Sequence, residues 1–256
     1  MKVAVHPVSE VGRRVIRILQ AEPSITKVAA WGVEQAGSRV PVVDDLDGFD
    51  VVVTDEYEPD ELAVACLNAS ASLVTGNSWG NEPASDFTAA GLSLVVGANL
   101  ETGLAASLAL QEAALMDEPL EVRLAWTTPG RPHRRGEPIP FPGPVGSLWA
   151  REVDPLGWIG HDIPAKAFQA PVEGQWAGAM AQVSGALDEG VQRTIVGTAD
   201  HAAYLAAIAL AAPVVPVGQA LYPPGRQWAS AAPSAYLDRA LAAGLDVASF
   251  HETAPA

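Results

Sequence analysis

Lys2-Val3-Ala4-Val5-His6-Pro7-Val8-Ser9-Glu10-Val11-Gly12-Arg13-Arg14-Val15-Ile16-Arg17-Ile18-Leu19-Gln20 is the stretch on which the fold is read. Lys2 to His6 is a short apolar run rich in β-branched residues, the pattern of a buried strand. Pro7-Val8-Ser9 breaks it. From Glu10 to Gln20, Val11, Val15, Ile18 and Leu19 recur at helical spacing on one face, and Arg13, Arg14 and Arg17 fall on the other. Strand, tight turn and helix in that order open a βαβ unit of the kind that binds dinucleotides.

The turn is only partly of that kind. In a G-x-x-G-x-x-G fingerprint the glycines fall at positions 6, 9 and 12, and here they are His6, Ser9 and Gly12. Gly12 keeps the position that lets helix and strand pack closely. Pro7 has no N–H to offer a phosphate. Glu10, in the first helical turn, suits the helix dipole but repels an anion.

Working outward, Ile25–Trp31, Phe49–Thr54, Ser72–Thr75 and Leu92–Val96 read as strands, with helices expected over 59–68 and 82–90. Such alternation builds a parallel sheet wrapped by helices, whose ligands bind outside the carboxyl ends of the strands. Those ends are His6–Ser9, Trp31–Glu34, Thr54-Asp55, Thr75-Gly76-Asn77 and Gly97-Ala98-Asn99. Their small and amide residues suit either a cofactor shelf or turn chemistry. Glu34 is a candidate for ribose hydroxyls or a solvated loop carboxylate, and Arg39 lies further on. Trp31 suits adenine stacking or strand-end packing.

Beyond a long Ala- and Leu-rich helix, Glu101–Met116, the pattern changes. Glu121–Thr127 alternates as a half-solvated strand, Trp176–Ala186 and Val191–Ala199 read as an antiparallel hairpin, and helices are expected over 201–211 and 236–243, with a short strand at 246–250. The fold class is therefore α/β: an N-terminal Rossmann-like parallel sheet with helices on both faces (1–118), then an α+β domain with a mainly antiparallel sheet (119–256), whose last helices are free to pack back on the first.

Pro129–Gly146 is long for an idle connection. It holds Arg131, His133, Arg134 and Arg135 in a chain otherwise poor in positive charge. The arginines suit a bidentate clamp on a carboxylate or phosphate, and His133 suits proton transfer. The alternative is a proline-stiffened strap whose arginines pair with the acidic body. Lys166 is the lysine available to the second half, near His161 and Asp162. Zinc-type histidine spacing and a G-x-S-x-G elbow are absent.

The formal charge of −15 speaks against nucleic acid. No uninterrupted apolar run has membrane-spanning length. One cysteine, Cys66, leaves no internal disulfide. The first residues lack the layout of a secretory leader, so a cytoplasmic protein is expected. Trp126, Trp149, Trp158 and Trp176 suit a pocket or the interface of a homo-oligomer.

Val3–Gly12, the Gly97-Ala98-Asn99-Leu100-Glu101-Thr102-Gly103-Leu104 passage and Phe141-Pro142-Gly143-Pro144-Val145-Gly146, set in this layout, resemble the dihydrodipicolinate reductase-like and saccharopine dehydrogenase-like oxidoreductases. The likeness is to overall organisation across most of the chain. It implies NAD or NADP against Val8, Ser9, Val11, Gly12, Thr54, Thr75, Gly97 and Asn99, and a small imine or carbonyl substrate under the second half. It implies catalytic roles for His133, Arg135 and Lys166. The departures are two missing fingerprint glycines, and arginines where that family's loop has a lysine. Arginine cannot give up a proton as lysine can. The other reading is a degenerate Rossmann protein that binds a different small ligand or a partner chain. The His6–Glu10 turn separates the two: free N–H groups converging there favour the first, a carboxylate-filled turn the second.

Overall fold

The computed structural model describes the chain except residues 7–8, 33–39, 58–59, 81, 155–162, 188–189 and 256. Pro7, Val8, Glu34, Arg39, Trp158, His161 and Asp162 therefore lie outside the described residues.

Strand β1 (Lys2–His6) is followed by helix α1 (Glu10–Gln20). Ser9 caps α1 by accepting the Gly12 N–H, Glu10 sits in its first turn and Arg17 in its last. Its buried face is Gly12, Val15, Ile16 and Leu19, one step round from the expected stripe, because Gly12 is the point of close approach. Next come β2 (Lys27–Trp31), the two-residue β3 (Val42–Val43), β4 (Val51–Thr54), α2 (Asp60–Ala69), β5 (Ser72–Thr75), α3 (Ala84–Ala90) and β6 (Ser93–Val96). Every residue of β4, β5 and β6 is buried, as both faces of a parallel sheet require.

The chain then turns through a π-helical segment, Leu100–Ala105, into α4 (Ala106–Ala113). The expected single helix 101–116 is thus broken in two, with Thr102-Gly103 in the irregular part. Six strands follow: β7 (Glu118–Pro129), β8 (Glu137–Pro140), β9 (Ser147–Val153), β10 (Ala165–Val172), β11 (Trp176–Leu187) and β12 (Gly190–His201). The expected loop 129–146 is therefore partly strand. Pro138 and Pro140 hid β8 from the sequence reading, yet they are tolerated because β8 is the edge of its sheet. Helices α5 (Ala202–Ala211), α6 (Val214–Gly218) and α7 (Pro233–Ala242) then alternate with β13 (Gly225–Trp228), and β14 (Ala248–Pro255) closes the described chain. His201 ends β12; it does not begin the helix.

The chain divides into two compact units, 1–99 with 206–244 and 100–205 with 245–256. The first break falls between Asn99 and Leu100, because the π-helical segment and α4 pack against β7 and β11 of the second sheet. The first unit holds a seven-stranded, all-parallel sheet ordered β13-β6-β5-β4-β1-β2-β3. Six of those strands have the order of the doubly wound dinucleotide fold. The second unit holds a sheet ordered β14-β12-β11-β7-β10-β9-β8, antiparallel except for β7 with β10. The α/β and α+β layout expected from the sequence is the one observed. Among the described residues no helix is long and apolar enough to cross a membrane.

Candidate functional site

The strand order of the first sheet reverses between β1 and β4, so a crevice is expected where their carboxyl ends diverge. The groups there are His6, Ser9, Gly12, Thr54, Asp55 and Glu56. Thr54 and Thr75, fully buried, turn their hydroxyls onto their own loops: Oγ1 of Thr54 accepts the Glu56 N–H at 3.1 Å, and that of Thr75 the Asn77 N–H at 3.2 Å. Asn77 Nδ2 donates to the Glu56 carbonyl at 2.8 Å, and Asn99 Nδ2 to the Gly76 carbonyl at 2.8 Å. The Ala98 N–H reaches the Thr75 carbonyl at 3.0 Å. The two amides and the Ala98 N–H tie the three adjoining turns together, and the two hydroxyls brace their own turns; Thr54, Thr75 and Asn99 are among the expected cofactor contacts.

At the tip of α1 the Ser9 hydroxyl has two roles. It accepts the Gly12 N–H at 2.9 Å and donates to Asp55 Oδ2 at 2.7 Å. A carboxylate is therefore hydrogen-bonded to the cap of the helix whose N-terminus a phosphate would approach. Glu10, by contrast, is turned to Arg14, 3.1 Å away. Val11 and Gly12 lie in the first turn of α1, Val11 half-buried and Gly12 buried.

His6 lies beside this group, its side chain 15% exposed. Its Nδ1 is 2.8 Å from the Trp31 carbonyl and its Nε2 is 3.1 Å from Glu56 Oε1. A carbonyl only accepts, so Nδ1 is the donor in that bond. The ring meets Trp31 edge-on with centroids 5.0 Å apart. Trp31 packs partly buried against the sheet core, its strand-end packing role. Gly32, at φ +69°, passes so close that a Cβ there would lie 2.7 Å from His6 Nδ1. The sequence reading weighed His6 only as a lost glycine. Its contact with Glu56 lies 50 residues along the chain, with no signal between.

In the second unit, His133 Nδ1 accepts the Arg135 N–H at 3.4 Å, and Arg131, Arg134 and Arg135 are exposed. None of the three is ion-paired among the described residues. Lys166 stands exposed in β10, in register with Arg123 of β7, and no hydrogen bond among the described residues joins it to His133 or Arg135. A cavity of about 90 Å³ lies on one face of this sheet, floored by Phe168, Met180, Ile139 and Ile195. At its edge Arg123 is ion-paired with Glu137 and stacked 4.9 Å over the Phe168 ring. Among the described residues no cluster of three or more His, Cys, Asp or Glu is placed to hold a metal ion.

Solved structures match the chain almost from end to end. The homospermidine synthase of Legionella pneumophila, in complex with NAD, aligns over 98% of this chain and 91% of its own at 9% identity, with a TM-score of 0.59. The DAP dehydrogenase of C. glutamicum, in complex with DAP, aligns over 94% and 98% at 14% identity and 0.57. An engineered D-amino acid dehydrogenase bound to NADP+ aligns over 94% and 98% at 13% identity and 0.56. The chain shares their fold. The resemblance to Rossmann-fold oxidoreductases holds at that level. No protein-family model and no curated protein matches the sequence.

Proposed function

We propose that the chain is an oxidoreductase of this fold, taking NAD or NADP at the switch point and a small imine or carbonyl substrate in the second unit. The observation that carries this is the end-to-end match to two-part proteins solved with NAD and with NADP+. It includes the second sheet as well as the nucleotide-type sheet. A nicotinamide would supply the hydride chemistry when bound. His133 would give or take a proton, Arg135 would orient the substrate, and Lys166 would be a second proton donor. A cytoplasmic homo-oligomer is part of the same proposal, and light scattering after gel filtration tests its oligomeric state.

The Ser9–Asp55 contact suits a pyrophosphate poorly. Ser9 is engaged on both sides and Asp55 brings a negative charge to the helix tip. That contact favours a second reading, a Rossmann-fold protein that no longer takes a dinucleotide and binds another small ligand or a partner chain. A thermal-shift titration with NAD, NADH, NADP and NADPH separates them. A ligand at a hundred times its dissociation constant adds about 2.7 kcal/mol to the folded state. A clear rise in Tm with one of the four supports the oxidoreductase and selects its cofactor. A flat response to all four supports the second reading.

A further inference from the structure

We propose that the β8–β9 edge of the second unit is an oxyanion-binding site, with Arg151 as its fixed anchor and the exposed arginines of segment 131–135 as its further charges.

Five of the described arginines are neutralised. Arg14, Arg123, Arg193, Arg226 and Arg239 each pair with a glutamate. Arg151 is ordered differently. Its Nε–H and Nη2–H both donate to Gln169 Oε1, at 3.1 and 2.6 Å. The facing residue of β10 is Gln169 itself, so the contact is fixed by strand register. The amide must present its oxygen, since its nitrogen would set donor against donor. The guanidinium is thus held in one orientation with its charge intact and its remaining N–H groups available. No carboxylate pairs with it among the described residues. Fixing a long side chain before binding removes an entropic cost that a free arginine would incur on gripping an anion.

More positive charge converges on the same edge. Glu137 pairs with Ala150, and the preceding Gly136, at φ +97°, lies against the Ala150 carbonyl and 3.4 Å (from an added Cβ) from the Arg151 nitrogen. Arg135 is therefore the chain neighbour of a residue in contact with the backbone at Arg151. Arg134 and Arg131 follow it on an exposed segment, and none of these arginines is ion-paired among the described residues. In a protein of formal charge −15, these arginines have no ion pair among the described residues, although Glu137 and Glu152 lie in the same two strands. Trp149, two residues before Arg151 and so on the same face of β9, is 40% exposed. A guanidinium fork beside an open indole suits a small molecule with an oxyanion group, carboxylate or phosphate, on a flat or apolar body. In the oxidoreductase reading this would receive the substrate's anionic group, but the site itself does not depend on a dinucleotide.

Isothermal titration of the full chain, without dinucleotide, with inorganic phosphate and with glutarate tests this, glutaramide being the uncharged control. Saturable binding of one oxyanion at millimolar concentration or better is expected, with none for glutaramide; which anion binds decides between the phosphate and carboxylate sources. Arg151→Met should weaken binding about tenfold or more. Arg151→Lys keeps the charge without the fork and should recover only part of it. Gln169→Ala, a positioning change, should weaken it less than Arg151→Met, and Arg193→Met in β12, at the other side of the sheet, should leave it unchanged. Absence of saturable binding by either anion, or equal affinity in Arg151→Met and the parent, overturns the proposal. Because no nicotinamide is present, failure here is separate from failure of the thermal-shift titration.

Discussion

Ser9 and Asp55, 46 residues apart, share a hydrogen bond of 2.7 Å at the N-terminus of α1, while the same Ser9 oxygen caps the helix through the Gly12 N–H. The cap is independent of any ligand; the carboxylate is not neutral towards one. An anion reaching this helix tip meets Asp55 in its path, and Glu56 next to it is drawn aside by His6.

Asp55→Asn keeps a partner for the Ser9 hydroxyl and removes the charge. Affinity for the preferred dinucleotide should rise about tenfold, close to 1.4 kcal/mol, as measured by calorimetry. Ser9→Ala separates the cap from the charge, since loss of an N-cap costs about 1 kcal/mol of stability. An Asp55→Asn protein that still ignores all four dinucleotides means that the barrier lies in the turn backbone and that the second reading holds.

Gly32→Ala tests whether His6 is held as described. The position needs φ +69°, and the new methyl group would meet the imidazole at 2.7 Å. The strain and the displaced ring together should cost about 2–3 kcal/mol. Denaturant unfolding measures the loss, and the His6 ring protons should shift in NMR spectra as the bond to the Trp31 carbonyl breaks. An unchanged midpoint would show that the ring has room to move.

The switch-point fold was legible because it is local. Val3-Ala4-Val5, Val51-Val52-Val53 and Leu73-Val74 are continuous apolar runs punctuated by turns, and parallel strands buried on both faces read in that way. The site was not legible, because its contacts join Ser9 to Asp55 and His6 to Glu56 across intervals with no periodic signal. In the second half, proline misled the reading at β8, where Pro138 and Pro140 sit on an edge needing no inward N–H. Strand β13, with Arg226 and Gln227, was missed for a related reason. It too is an edge, and its polarity resembles a loop.

Arg226 carries a pH-dependent part of the stability. Glu82, its side chain 6% exposed, lies 3.4 Å from Arg226 and accepts the Ser78 hydroxyl at 2.6 Å and the Trp79 N–H at 3.2 Å. Burial pushes the carboxyl upward, but the Ser78 hydroxyl, the local backbone N–H groups and Arg226 outweigh it and hold the group below its ordinary 4.5. The unfolded chain therefore binds more protons than the folded one just below that value. The contribution is full above about pH 4.5 and is lost as pH falls through the depressed value. Glu82→Gln should lower Tm at neutral pH, at a cost of about 2 kcal/mol, and parent and variant should converge in acid. Glu101 has the opposite sign, since burial raises it; it favours the folded state at low pH, and that gain is lost as pH rises through the raised value.

Gly136→Ala should detach the edge that carries the arginines. An added Cβ would stand 2.0 Å from the Ala150 carbonyl oxygen, a backbone atom that cannot swing away, and φ +97° is itself unfavourable for an L side chain. Relief requires β8 to leave β9, which uncovers Ile139 and Phe141, both buried against Phe168 and Met180. Loss of that packing and of the four-residue ladder from Glu137↔Ala150 to Pro140↔Ser147 should cost about 3 kcal/mol. Hydrogen exchange separates a local from a global effect. Faster exchange at Ile139, Leu148 and Ala150, with β7, β11 and β12 still protected, is the expected outcome. In that variant the Arg151–Gln169 contact survives while segment 131–135 is released. Oxyanion affinity should therefore fall by less than in Arg151→Met, which separates the fixed anchor from the exposed charges of segment 131–135.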